Sequence, residues 1–323
     1  MTEPVYAKMA VIGCGLIGAS VSLAARAADA VAQIAVADAS ADARARIAAL
    51  GFADQVTADP AEACRDADLV VFAVPVMTMS EAARAAAAGL KPGATVTDVG
   101  SVKAAVGEAL AGALPATCFV VPGHPIAGTE QSGPDAGFAE LFHNRWVILT
   151  PLARPDDSEG AAPYQAAVER LTDFWTRLGS NVELMDARHH DLVLAVTSHL
   201  PHLIAYNIVG TAADLEGVTR GEVMKYSAGG FRDFTRIAAS DPTMWRDVFL
   251  TNKDAVLEVL GRFTEDLQAL SRAIRWGEGD KLFDLFSRTR EIRRGIIAAG
   301  QESAEPNFGR DHRAPEASDT KPQ

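Results

Sequence analysis

The 323 residues are 48% hydrophobic and 22% charged, which excludes a wholly disordered chain and suits two ordinary domains. Lys+Arg total 30 against 42 Asp+Glu, a net charge of −12 with a pI near 5.1. That balance excludes sequence-independent nucleic-acid binding, which needs a basic surface, but not a local cationic pocket for a small anion.

The three cysteines, Cys14, Cys64 and Cys118, have no CxxC spacing and sit in or beside apolar runs, as buried free thiols of a reducing compartment do. The N-terminus shows no apolar signal-peptide core, and no apolar stretch approaches the roughly 18–20 residues of a membrane helix. A soluble cytoplasmic protein is the expectation, without nucleic-acid or membrane partners.

In chain order, short apolar runs alternate with Ala-rich helical stretches. Lys8–Ile12 leads into a glycine cluster, Gln33–Ala37 ends at Asp38, Leu69–Val74 at Pro75, Ala94–Val99 at Gly100, Cys118–Val121 at Pro122 and Trp146–Thr150 at Pro151. Ala19–Ala30, Ala41–Leu50 and Met79–Gly89 read as helices between them. Repeated strand–helix–strand units predict an α/β, Rossmann-type, doubly wound and mostly parallel sheet, and near-continuous apolar strands predict that both its faces are covered. Tyr164–Leu178 predicts one more amphipathic helix and Asn181–Met185 a last strand. After Asp186 the strand signals stop. Ala187–Ala213 reads as a long helix interrupted by Pro201. Ser240 reads as the N-cap of a helix running to Ile274, and Asp280–Ala299 as a final helix. The expected division is a nucleotide-binding domain over 1–185, an all-helical domain over 186–300 whose apolar stripes suit a second subunit, and a disordered tail over 301–323.

Gly13-Cys-Gly15-Leu16-Ile17-Gly18 comes directly after the first strand and opens a helix, and Asp38 ends the next strand. Glycines at these positions allow a tight turn and close approach of a pyrophosphate to the helix N-terminus, where Leu16 and Ile17 present backbone N–H groups; the acid accepts from ribose hydroxyls. With no Arg at 39–41, Asp38 predicts NAD rather than NADP.

Pro122-Gly-His124-Pro-Ile-Ala-Gly-Thr-Glu130 comes after the fifth strand, at the sheet end where ligands bind. His124 reads as a loop residue suited to general-base chemistry, and Ser101, in Asp98-Val-Gly-Ser-Val-Lys103, reaches the same crevice. In Ser198-His199-Leu-Pro-His202 the two histidines share a helix face. With His189, His190 and Asp191 nearby they offer a metal reading, which lacks the adjacent catalytic Glu, and no metal is expected. His199 also aligns with Leu192, Val196, Leu203 and Tyr206 on an apolar stripe, as a packed core histidine does. Arg232 and Arg236, spaced i,i+4, are suited to gripping two carboxylates by forked hydrogen bonds.

Taken together, GxGxxG with its acid, DVGSVK, GHPIAGTE, TSHLPH and GGFRDFTRIAASDPTMWRD resemble, in order, the prephenate/arogenate (cyclohexadienyl) dehydrogenase family of tyrosine biosynthesis, over residues 8–299. The resemblance implies a Rossmann domain followed by a helical dimerisation domain. It implies NAD-dependent oxidative decarboxylation of prephenate to 4-hydroxyphenylpyruvate, or of arogenate to tyrosine, in a homodimer. Matched by motif, it implies that His124 is the catalytic histidine at the ring 4-hydroxyl and Ser101 the serine that orients it. Arg236 would bind the ring carboxylate, His199 and His202 would lie near substrate and cofactor, and Glu130 would act as an acid beside the site. Trp245 would reach the partner subunit's site. Arg232 stands where some relatives carry Lys, which bears on the prephenate/arogenate preference. One rival is a β-hydroxyacid-type dehydrogenase, whose catalytic lysine would have to be Lys225, Lys253 or Lys281, none in a recognisable motif; another is a non-catalytic NAD-binding sensor, which would not need His124, Ser101 and Arg236. A chorismate-mutase segment before residue 8 and a regulatory domain after Gly300 are not expected.

Overall fold

The computed structural model describes residues 3–129, 131–153, 160–214 and 229–298. Among the described residues the chain forms two compact units, divided between Val259 and Leu260.

The first unit opens with strands β1 (Tyr6–Ile12), β2 (Val31–Ala37), β3 (Gln55–Thr57), β4 (Leu69–Phe72), β5 (Thr95–Asp98) and β6 (Phe119–Val120). They form one sheet in the order β3-β2-β1-β4-β5-β6, parallel throughout. Helices α1 (Leu16–Ala27), α2 (Ala41–Leu50), α3 (Pro60–Cys64), α4 (Met79–Ala86) and α5 (Ala104–Ala113) make the crossovers. Alternate residues of one strand feed opposite cores. Met9, Val11, Ile34 and Val36 enter one; Ala10, Ile12, Ala35 and Ala37 enter the other. Both faces are therefore buried, which is why these strands read as continuous apolar runs. The strand order reverses between β1 and β4, the switch point at which such sheets bind ligands. All three cysteines are buried and unpaired by disulfides.

Two features depart from the expected single sheet. The Trp146–Thr150 run forms β8 (Trp146–Leu149), but in a second, three-stranded sheet with β7 (Gly123–Pro125) and β9 (Asn181–Leu184). The strand β7, antiparallel to β8 with His124 opposite Ile148, lies where a loop was expected. Helix α6 (Ala161–Arg177) precedes β9.

From 187 onward the described residues are helical. Helix α7 (Ala187–Leu194) is capped by Asp186, whose carboxylate accepts from the Arg188 and His189 N–H groups. A π-helical turn, Ala195–His199, joins it to α8 (Leu200–Asp214). The turn lies just before Pro201, which has no N–H for the Thr197 carbonyl and would press on it in a regular helix. One extra residue in the turn rotates the next helix about its axis, so Leu192 and Val196 are exposed while His199 is buried; the expected common stripe does not form. Within the helix over 187–214 an 18-residue window has a mean hydropathy of 1.4, so by length and composition it is long enough to cross a membrane. That corrects the expectation that no stretch approaches such a span: Leu, Val and Ile outweigh its few charges, but its buried face carries His190, Asp191 and His199.

Further on lie α9 (Gly229–Thr235), α10 (Pro242–Thr251) and α11 (Lys253–Trp276). The N-cap of α10 is Asp241, not Ser240. Its carboxylate accepts from the Thr243 and Met244 N–H groups, while Ser240 Oγ donates to the Ile237 carbonyl. The expected single helix to Ile274 breaks at Asn252, the C-cap of α10. Helix α12 (Gly279–Ala298) lies in the second unit. Glu130, Lys225, Gly300 and the tail over 301–323 lie outside the described residues.

Candidate active site

The glycine turn is built for a dinucleotide. Gly13 adopts φ +84°, and a Cβ there would lie 2.8 Å from the Ala73 carbonyl oxygen; a Cβ on Gly18 would lie 2.4 Å from that of Gly13. Both must be glycine for β1, β4 and α1 to close up. Around Gly15, by contrast, a Cβ would meet nothing within 4 Å. Gly15 is the N-cap of α1 and supplies no side-chain cap, so the first N–H groups of that helix remain for an anion. Asp38 closes the turn: one carboxylate oxygen accepts from Cys14 N at 2.8 Å and the other from Ser40 N at 2.9 Å. Arg44, which carries no motif signal, bonds the Asp38 and Ala39 carbonyls.

The end of β5 carries the next layer. Asp98 and Lys103 are both fully buried and ion-paired. Asp98 also accepts from Gly100 N at 2.8 Å and Gly123 N at 3.2 Å, and Lys103 Nζ donates to the Gly123 carbonyl at 2.6 Å. This pair therefore fixes β7 at the residue before His124. Burial disfavours the charge on each: it raises the Asp98 pKa and lowers that of Lys103, and their mutual attraction opposes both shifts.

His124 is 8% exposed. Its Nδ1 lies 2.9 Å from His190 Nε2, and His190 Nδ1 lies 2.8 Å from Asp191 Oδ1. Asp191 also caps α5 from outside, accepting from Lys103 N at 2.7 Å and Ala104 N at 3.0 Å. Burial first, then the neighbouring His190, Lys103 and His199, push the His124 pKa well below its ordinary 6.5. The ring is therefore uncharged at neutral pH, the form a general base needs.

His199 is buried, and burial lowers its pKa to about 4. The Asn252 side-chain amide donates to the Asp191 carbonyl at 2.8 Å and lies 3.1 Å from His199 Nδ1. His199 Nδ1 thus accepts and Nε2 carries the hydrogen. That Nε2–H approaches the Ser101 backbone without reaching full hydrogen-bond geometry. Trp245 is 6% exposed, stacks on His202 at a centroid distance of 3.6 Å, and leaves its Nε1–H buried without a partner. Within the chain, Trp245 packs on both histidines of the helix face, His199 and His202. Burial, more than the charge of Arg236, lowers the His202 pKa, and that charge places Arg236 in electrostatic range of His202.

The structure thus brings His124, Ser101, His199, His202, Trp245 and Arg236 into one neighbourhood. Arg232 lies on α9 with an exposed side chain, its guanidinium 3.5 Å from Asp233. Sequence reasoning missed Lys103, Asn252 and the inward turn of His190, because each acts on a residue distant in the chain. His189 is exposed, and among the described residues no three His, Cys, Asp or Glu side chains converge to hold a metal ion.

Comparison with known proteins agrees with this arrangement. The prephenate dehydrogenase nucleotide-binding domain matches residues 21–184, and the prephenate dehydrogenase dimerization domain matches residues 186–288. The chain belongs to the prephenate dehydrogenase family. Within that family it is 45% identical to the cyclohexadienyl dehydrogenase of Zymomonas mobilis, over 90% of this chain and 96% of the relative. It is 32% identical to the prephenate dehydrogenase of Bacillus subtilis, over 92% and 77%. Among solved structures, prephenate dehydrogenase from A. aeolicus, in complex with hydroxyphenyl propionate and NAD+, superposes with a TM-score of 0.81 at 33% identity, over 90% of this chain and 98% of the other. Synechocystis arogenate dehydrogenase gives 0.72 at 26% identity, over 90% and 99%.

Proposed function

We propose that this chain oxidises and decarboxylates prephenate to 4-hydroxyphenylpyruvate with NAD+, in tyrosine biosynthesis, and accepts arogenate as a second substrate. The observation that carries this reading is a buried, uncharged His124 at the carboxyl end of a dinucleotide-binding sheet. Steady-state rates of NADH formation with prephenate and arogenate side by side test it; no turnover with either removes it.

Gly13, Gly15, Leu16, Ile17, Gly18 and Asp38 hold the dinucleotide, which when bound supplies the hydride acceptor. His124 takes the 4-hydroxyl proton as the hydride leaves C4. The bond from the ring to its carboxylate then breaks, its electron pair enters the dienone, and CO2 departs. The new phenolate oxygen recovers the proton from His124, so the chain ends as it began. Restored aromaticity drives the sequence, and positioning is the main task of the protein. Arg236 holds the ring carboxylate, with Ser101, His199, His202 and Trp245 around the ring and Arg232 on the side arm. Arg236 binds without over-stabilising a group about to leave, since only differential transition-state binding speeds the reaction.

The binding residues are open to direct substitution. Asp38→Ser should narrow the preference for NAD+ over NADP+, because it removes the charge that repels a 2′-phosphate; comparable kcat/KM for both cofactors in the unmodified protein contradicts the assignment. Arg236→Ala should raise KM for prephenate far more than KM for NAD+. Losing one partner of a charged hydrogen-bonded pair costs about 2–5 kcal/mol, part of it the unpaired charge left behind. Equal effects on both KM values would move Arg236 out of the substrate site.

We also propose a functional division near residue 185, a cytoplasmic location and a homodimer built on the helical segment. Leu267, Ile274, Trp276, Phe283, Phe286 and Ile292 of α11 and α12 are exposed, more large apolar surface than two solvent-facing helices ordinarily carry. Light scattering should give about twice 34.1 kDa; a monomer at micromolar concentration counts against the dimer.

A further inference from the structure

We propose that His190 and Asp191 are positioning residues for His124, fixing its imidazole in the tautomer that offers Nε2 as the proton acceptor. This rests on the reading of His124 as the base, but its geometry stands by itself.

The direction of the chain is set at Asp191. Its two oxygens accept backbone N–H groups, Lys103 at 2.7 Å and Ala104 at 3.0 Å, so toward His190 Nδ1 at 2.8 Å it acts as an acceptor. His190 Nδ1 therefore carries a hydrogen. Burial disfavours the charged form of His190, although Asp191 opposes this; in the neutral ring, Nε2 is bare. The atom 2.9 Å from that bare nitrogen is His124 Nδ1, which must donate. In a neutral His124 the remaining nitrogen, Nε2, then has its lone pair free. One carboxylate thus selects the tautomer two rings away. When His124 takes up a proton at Nε2, the cation that forms faces an acceptor backed by a carboxylate, so the same chain stabilises it. His189, next in sequence, is exposed and cannot replace His190.

The test uses the full chain with 15N-labelled histidine; there are seven histidines, and His124→Asn assigns the resonance of interest. Without any ligand at neutral pH, His124 should show a protonated Nδ1 and an unprotonated Nε2. The opposite tautomer would overturn the proposal. His190→Leu fills the space without an acceptor, and His190→Gln places an acceptor oxygen near the former Nε2. The leucine variant should lose kcat by about 10–100-fold, the size of loss seen when the partner orienting a metal-ligating histidine is removed. KM for prephenate and NAD+ should stay nearly constant, and His124 should become a mixture of tautomers. The glutamine variant should recover most of the lost kcat. A leucine variant with unchanged kcat and tautomer would make His190 a packing residue only. If that variant does not fold, the tautomer of the unmodified chain decides. Because the tautomer is read without substrate, its failure is distinct from a failure to oxidise prephenate.

Discussion

His124→Asn should cut kcat by about 10²–10⁴-fold, the span for loss of a general base, while leaving the fold and NAD+ binding nearly intact. The asparagine amide nitrogen falls near the position of the former Nδ1, so it can still donate to His190 Nε2, now 2.9 Å from the ring. The variant loses the reactive nitrogen and keeps the structural bond. In the unmodified enzyme the acidic limb of kcat/KM should lie below pH 6.5, because burial and the neighbouring His190, Lys103 and His199 lower the His124 pKa. Activity is held above the depressed pKa and lost as pH falls through it. In His124→Asn that limb should disappear. Near-normal kcat with the limb in place would remove His124 from the mechanism and make His202 the next candidate.

Lys103→Met should be the most destabilising single change in the site. It leaves Asp98 wholly buried without its countercharge, with only the Gly100 and Gly123 N–H groups for partners. Removing one member of a buried ion pair costs about 3–5 kcal/mol. Equilibrium unfolding in urea should show a lower midpoint of that order. The double variant Asp98→Asn, Lys103→Met should recover much of the loss, since the stranded charge is gone. A Lys103→Met protein as stable as the unmodified chain would mean that Asp98 is protonated in the fold.

The nucleotide-binding half was legible because its signals are local. Apolar runs such as Leu69–Phe72 mark strands covered on both faces, and Gly13, Gly15 and Gly18 announce a turn whose steric demands are met in place. The rest depends on contacts no window contains. His124 was found, but in a strand rather than a loop, because three residues containing Gly and Pro have no period to read; the ladder with β8 makes the strand. The π turn before Pro201 adds a single residue, which leaves a helical pattern looking unbroken while changing which side chains it buries. Asn252 was invisible, since a lone asparagine after a helix gives no hint that it will bond His199 across 53 positions. Lys103 was visible within its motif, but nothing in the sequence shows that its partner is Asp98 and its second acceptor the backbone of Gly123.

Asp191 has a mechanical consequence. The same side chain that orients His190 also terminates α5, a helix of the nucleotide-binding sheet. If α7 swung away from that sheet to admit substrate, it would strip the cap from α5 and release the base in one motion. One carboxylate thus rivets the start of α5, helix α7 and, through His190, the base together, so none of the three shifts alone without breaking a bond.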